Sequence, residues 1–251
     1  MSANSAAKLR RSLVTSLTIV GESSWVLFSF FAVAALAFSF VLYLFPDARL
    51  FLTSTVGQLL SGGILYALVV LIVVTPVWLM RDTKYVVRIL GLTKLPTSAI
   101  LWLPFFLWFL YSVISIVVSI GVTFIPWIDS NQAQDVGFTN LEHAYEYVVA
   151  FVALVILPPV AEELLFRGYL FGRLRERTGF ITSTIAVSVV FAVVHMQWNV
   201  GIDVAILSVF LCYLREKTGS IWASMVLHSF KNAVAYFLLF IAPLLGWQLI
   251  H

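Results

Sequence analysis

The chain has 251 residues, 61% of them hydrophobic and only 11% charged, against about 25% charged in a soluble globular domain. That balance excludes a soluble domain, and the net charge of +3 reflects basic loops flanking a membrane rather than nucleic-acid binding, for which no motif is present. The expected fold class is all-α, a polytopic transmembrane helix bundle of about seven spans, six at the fewest and eight at the most.

Residues 1–25 read as an uncleaved cytoplasmic leader, because Lys8, Arg10 and Arg11 precede a short, moderately apolar stretch and GESSW offers no small-x-small cleavage site. Residues 26–251 then form a single transmembrane domain. Its first helix is predicted at 26–45, uncharged over the roughly 20 residues that a crossing needs. Further spans are predicted at 59–80, 98–122, 147–167, 179–197, 199–214 and 220–241. The sixth is the shortest, and the uncharged run 95–128 is long enough to tilt or re-enter. Between the second and third spans, YVVRILGL in 81–97 suits an amphipathic helix on the cytoplasmic surface.

Placing the N-terminus in the cytoplasm puts every Lys and Arg except Arg49 and Lys231 on or at the edge of that side, the asymmetry of the positive-inside rule. Two echoes, LRERTG at 174–179 and LREKTG at 214–219, fall on the same side, each with a glycine suited to a helix C-cap. Trp25, Trp78, Trp127, Trp198 and Trp247 lie near span ends and suit interfacial belts. Cys212 reads as a packing residue, His143 and His251 as solvated, and Asp203 as the outer end of the sixth span. Lys231, inside the seventh, has no assigned role beyond a snorkelling or paired side chain.

The fourth span carries PPVAEELLFR, residues 158–167. Only fifteen residues separate Glu146 from Glu162, too few for a crossing, so Glu162 and Glu163 must lie within the membrane. Ionisable groups at such depth mark a function by default. Glu163 and Arg167 stand at i and i+4 and can neutralise one another, which leaves Glu162 without that partner. If the fourth and fifth spans form a hairpin turning at Thr178 and Gly179, Glu162 lies sixteen residues before the turn and His195 sixteen after it, so they share a depth. In the seventh span His228 and Asn232, again i and i+4, reach a similar level.

A carboxylate, two imidazoles and a carboxamide suit hydrolysis by activated water. A desolvated glutamate is a stronger base, an imidazole can orient the water, and an amide with a second imidazole can stabilise an oxyanion. No G-x-S-x-G elbow or activated cysteine is present. Two histidines and a glutamate could also hold zinc, although the H-E-x-x-H helix is absent; no cofactor is expected, with zinc the lesser alternative.

EELLFR, FAVVH and HSFKN reproduce, in order, the E-E-x-x-x-R, F-x-x-x-H and H-x-x-x-N motifs, and over residues 145–240 the chain resembles the CPBP family of intramembrane proteases, which includes CAAX prenyl endopeptidases and bacterial Abi-type proteins. The resemblance implies a CPBP-like catalytic core in which Glu162 is the general base, His195 assists the water, His228 and Asn232 form the oxyanion site, and Glu163 and Arg167 are a supporting pair. No metal ligand is assigned. It further implies an intramembrane glutamate endopeptidase acting on a membrane-embedded or lipidated protein or peptide, with the lipid bilayer as its surroundings, in a prokaryotic cell membrane. Rival expectations are a non-catalytic partner-binding or bacteriocin-immunity protein of the same fold, a zinc-dependent protease, and a transporter. Substrate and oligomeric state are left open.

Overall fold

A computed structural model describes residues 3–45, 47–94, 102–126, 136–138 and 141–247. Every regular element among them is helical. In chain order these are α1 (Ala3–Leu44), α2 (Ala48–Thr53), α3 (Thr55–Met80), α4 (Thr83–Leu90), α5 (Trp102–Val122), a composite α6 (Ala144–Arg175), α7 (Phe180–Val194), α8 (Trp198–Thr218) and α9 (Trp222–Ile241). Six of them, α1, α3, α5, α6, α8 and α9, are long and apolar enough to cross a membrane. The chain is an integral membrane protein. Large outward side chains such as Leu36, Phe106, Ile116 and Val117 are exposed, which is stable where the surrounding solvent is hydrocarbon.

The fifth expected span, 179–197, departs from its sequence reading. α7 has 15 residues and rises only about 22 Å, short of a roughly 30 Å hydrocarbon layer. It stops at Val194 because the chain reverses through His195, Met196 and Gln197, with Met196 in the left-handed region at φ 57°. The sixth span, expected to be the shortest, is instead the 21-residue α8.

The leader is continuous with the first span. α1 runs 42 residues without a break, about 63 Å, and it is held to the bundle by Glu22, which accepts from the Tyr169 hydroxyl at 2.8 Å and pairs with Arg173 at 2.8 Å. Trp25 turns inward, its Nε1–H donating to the Val73 carbonyl at 3.5 Å, so it is a packing residue rather than part of a belt. Trp78, Trp198 and Trp247 are exposed; Trp127 and His251, like the start of the third predicted span at 98–101, lie outside the described residues.

α4 is capped at both ends, by the Asp82 carboxylate accepting the Tyr85 N–H at 2.7 Å and by Gly91 at φ 65°. Its apolar side, Val86, Ile89 and Leu90, is buried against α6 rather than turned to lipid. Gly168 and Gly172 permit that approach, since a Cβ at Gly172 would run into the Ile89 carbonyl oxygen. Arg215 completes the joint by donating to the carbonyls of Arg88 at 3.0 Å, Ile89 at 3.1 Å and Arg167 at 3.3 Å.

Helix contacts close in a ring, α1–α3–α6–α9–α5–α8–α7 and back to α1, with the C-terminal half of α6 touching helices on every side. The two sequence echoes meet at one end of it, where Arg175 pairs with Glu216 at 2.8 Å. They also share cap chemistry, Thr178 and Thr218 each donating to the carbonyl four residues back at 3.0 and 2.8 Å. Only Gly219 is a left-handed C-cap; Gly179, at φ −72°, instead starts α7.

Asp203 differs from its sequence reading, whereas Lys231 is the paired side chain expected. Asp203 lies within α8 and accepts the Tyr111 hydroxyl at 2.7 and 2.8 Å and the Ser115 hydroxyl, while Lys231 Nζ stands 3.7 Å away. Three helices, α5, α8 and α9, are thus joined by one polar node. Asp203→Ala strips Lys231 of its counter-charge and should destabilise the protein by about 2 kcal/mol. Adding Lys231→Met should restore most of that loss, as thermal unfolding in detergent would register.

Candidate active site

Two prolines prepare the site. In an α-helical register the Leu154 carbonyl would accept from residue 158, and in a π register from residue 159; both are proline and have no N–H to give. The helix runs as a π segment over Val152–Ile156, and the orphaned Leu154 carbonyl accepts from Asn232 Nδ2 at 2.9 Å. The same prolines that interrupt α6 therefore dock α9 and set the orientation of the Asn232 amide.

A second π segment, Glu163–Leu170, carries the charged motif and is buried at seven of its eight positions. Glu163 and Arg167 have no exposed side-chain surface and pair at 3.1 Å, as their i, i+4 spacing predicts. Arg167 is enclosed in protein, its guanidinium carbon 4.4 Å from the centre of the Phe191 ring. Cys212 is fully buried beside this group, a packing position as expected.

His228 joins the two glutamates. Its Nδ1–H donates to Glu163 Oε1 at 3.0 Å, and its Nε2 faces Glu162 Oε2 at 3.8 Å. Because a carboxylate only accepts, the Glu163 contact assigns the proton to Nδ1 and leaves Nε2 turned toward Glu162. The 3.8 Å separation exceeds a direct hydrogen bond but lets one water oxygen reach both groups. Glu162 is buried, and its other oxygen, Oε1, accepts the Tyr66 hydroxyl at 2.7 Å.

His195 sits at the end of α7, where its Nδ1–H donates to the Phe191 carbonyl at 2.7 Å and leaves Nε2 for other chemistry. Phe191 links it to the cluster: its ring centre lies 4.9 Å from that of His195 and 6.0 Å from that of His228. The structure thus brings Glu162, Glu163, Arg167 and His228 into direct contact. Asn232 stands one turn along α9 from His228, and His195 approaches through an aromatic neighbour rather than a polar bond. Sequence reasoning missed Tyr66, although it is the one polar side chain between Ser61 and Thr75 in an otherwise apolar span.

Residues 144–234 match the family model described as type II CAAX prenyl endopeptidase Rce1-like. This stretch is an Rce1-like domain. Three curated relatives share parts of the chain. YdiL of Bacillus subtilis (strain 168), whose name gives it provisionally as a membrane peptidase, is 30% identical over 77 residues, 31% of this chain and 32% of its own. YpbD of the same organism, which is uncharacterised, is 27% identical over 132 residues, 51% of this chain and 66% of its own. The UPF0177 protein YxdF of Lactococcus lactis subsp. lactis (strain IL1403) is 31% identical over 108 residues, 42% of this chain and 58% of its own. The chain therefore spans less than two thirds of each of these relatives. No solved structure matches it.

The Rce1-like domain contains Glu162, Glu163, Arg167, His195, His228 and Asn232. Tyr66 comes from outside it, on α3, which runs alongside α6. Among the described residues, no three of His, Cys, Asp and Glu are grouped in a way that could hold a metal ion. Within the cluster, Glu163 is already engaged by Arg167 and His228, so this donor set suits acid–base chemistry better than ligation.

Proposed function

We propose that the protein is an intramembrane endopeptidase that hydrolyses a peptide bond of a membrane-embedded or lipidated protein with a water activated by Glu162. The observation that carries this reading is the pairing of Glu162 Oε2 with His228 Nε2 at 3.8 Å, with Glu163 behind the imidazole. Glu162 takes a proton from water as the oxygen attacks the peptide carbonyl. The new C–O bond forms, the carbonyl oxygen becomes an oxyanion, and the proton held on Glu162 passes to the departing amine as the C–N bond breaks.

The remaining residues assist that sequence. Glu163 fixes the His228 ring through its Nδ1–H at 3.0 Å, so that Nε2, when it carries a proton, donates to the oxyanion. Asn232 keeps a second amide N–H for the same purpose after bonding Leu154, and His195 presents Nε2 to the water. The reaction needs no cofactor, and zinc dependence is the alternative that a chelator separates. We further place the N-terminus and the Arg175–Glu216 end in the cytoplasm of a prokaryotic cell, following the distribution of basic residues.

The test compares the membrane proteomes of cells carrying the wild type and Glu162→Gln. An uncleaved precursor should accumulate only in the variant, and the purified wild type should cleave it equally well with and without chelator. Cleavage lost on chelation would favour zinc; an unchanged proteome together with an intact cellular function would favour a partner-binding or immunity protein.

A further inference from the structure

α3 contributes nothing to the motifs and lies wholly outside residues 144–234, yet it supplies the shortest polar contact that Glu162 makes. Tyr66 OH donates to Glu162 Oε1 at 2.7 Å. One turn earlier Gly63 faces Leu157 of α6, a Cβ there standing 3.4 Å from Leu157 Cδ1, an ordinary van der Waals contact. Tyr66, three residues on, faces the same way and reaches across.

The two oxygens of Glu162 are thereby made different. Oε1 is occupied by a phenol, whereas Oε2 looks toward His228 Nε2 at 3.8 Å. A carboxyl group without the phenol could turn about its last side-chain torsion, which is broad and weakly restrained. Rotation would point either oxygen away from the water and its imidazole partner.

We propose that Tyr66 is a positioning residue for the base, fixing the Glu162 carboxyl so that Oε2 faces the attacking water. This inference rests on the reading of Glu162 as the base. It assigns to the N-terminal half of the chain a part in catalysis that the Rce1-like domain alone does not contain.

The test sets wild type, Tyr66→Phe and Glu162→Gln side by side in one detergent. The probe is the precursor that accumulates in Glu162→Gln cells. Tyr66→Phe keeps the ring and removes only the hydroxyl, so kcat should fall about tenfold to a hundredfold while KM stays within about twofold. Infrared difference spectra, in which Glu162→Gln identifies the carboxyl band, should show that band displaced in Tyr66→Phe because one oxygen has lost its donor. A merely structural role would lower the melting temperature and leave both kcat and the band unmoved.

Wild-type kcat in Tyr66→Phe, beside an inactive Glu162→Gln, overturns this inference and leaves the proposed hydrolysis standing. Wild-type kcat in Glu162→Gln overturns the reading of Glu162 as the base, on which this inference rests. Should Tyr66→Phe fail to fold, fluorotyrosine at position 66 keeps the shape and changes the donor strength. A displaced carboxyl band with an altered kcat supports the inference there, and no change in either overturns it.

Discussion

Glu162→Gln should lower turnover of the precursor by about a thousandfold while the protein keeps its fold, because general-base catalysis contributes about 10²–10⁴ and an amide cannot take the proton. The substitution is nearly isosteric. The Gln carbonyl oxygen can still accept the Tyr66 hydroxyl that Glu162 Oε1 accepts at 2.7 Å, and its amide can donate to His228 Nε2, which faces Oε2 at 3.8 Å. Melting temperature in detergent should therefore remain near wild type. Single-turnover cleavage of the purified precursor, set beside that melting curve, separates a lost proton acceptor from a damaged fold.

The second large effect is on stability. Arg167→Met leaves Glu163, with no exposed side-chain surface, as an uncompensated charge in the protein interior. Breaking such a pair from one side costs about 3–5 kcal/mol, and the contact with the Phe191 ring at 4.4 Å is lost as well. A fall in melting temperature on the order of 10 °C follows. Lys is no substitute at this position, since it has neither the planar face that lies over the ring nor the fork that meets the carboxylate.

The double variant Glu163→Gln with Arg167→Met should recover most of the lost stability, because the charge and its partner leave together. Activity should not return with it. The Gln oxygen still accepts from His228 Nδ1, but the negative charge behind the imidazole that donates to the oxyanion is gone. Thermal unfolding and precursor cleavage on the same three samples would separate the two roles of Glu163. Recovery of both together would mean that Glu163 acts only as the counter-charge of Arg167.

Much of the site was legible because its residues are chemically out of place. A glutamate, a histidine or a lysine among twenty apolar neighbours stands out in one dimension, and the i, i+4 pairing of Glu163 with Arg167 follows from helix geometry alone. The depth argument correctly gathered Glu162 and His228. It also gave His195 the depth of Glu162; in the structure His195 Nδ1 bonds the Phe191 carbonyl, and the Phe191 ring lies beside both His195 and His228. Asp203 and Lys231 were each visible as charges, but their pairing was not, because it joins α8 to α9 and depends on how those helices rotate.

What the sequence by itself determined is the membrane class, the number of crossings to within one, and the acidic pair within the fourth, all of which rest on composition and on spacing along one helix. Only the tertiary structure decided which groups meet: that His228 stands between two glutamates, that a carbonyl stranded by Pro158 and Pro159 orients Asn232, and that Tyr66 holds the far oxygen of Glu162. Each of these depends on the rotation and approach of separate helices, which a one-dimensional pattern does not encode.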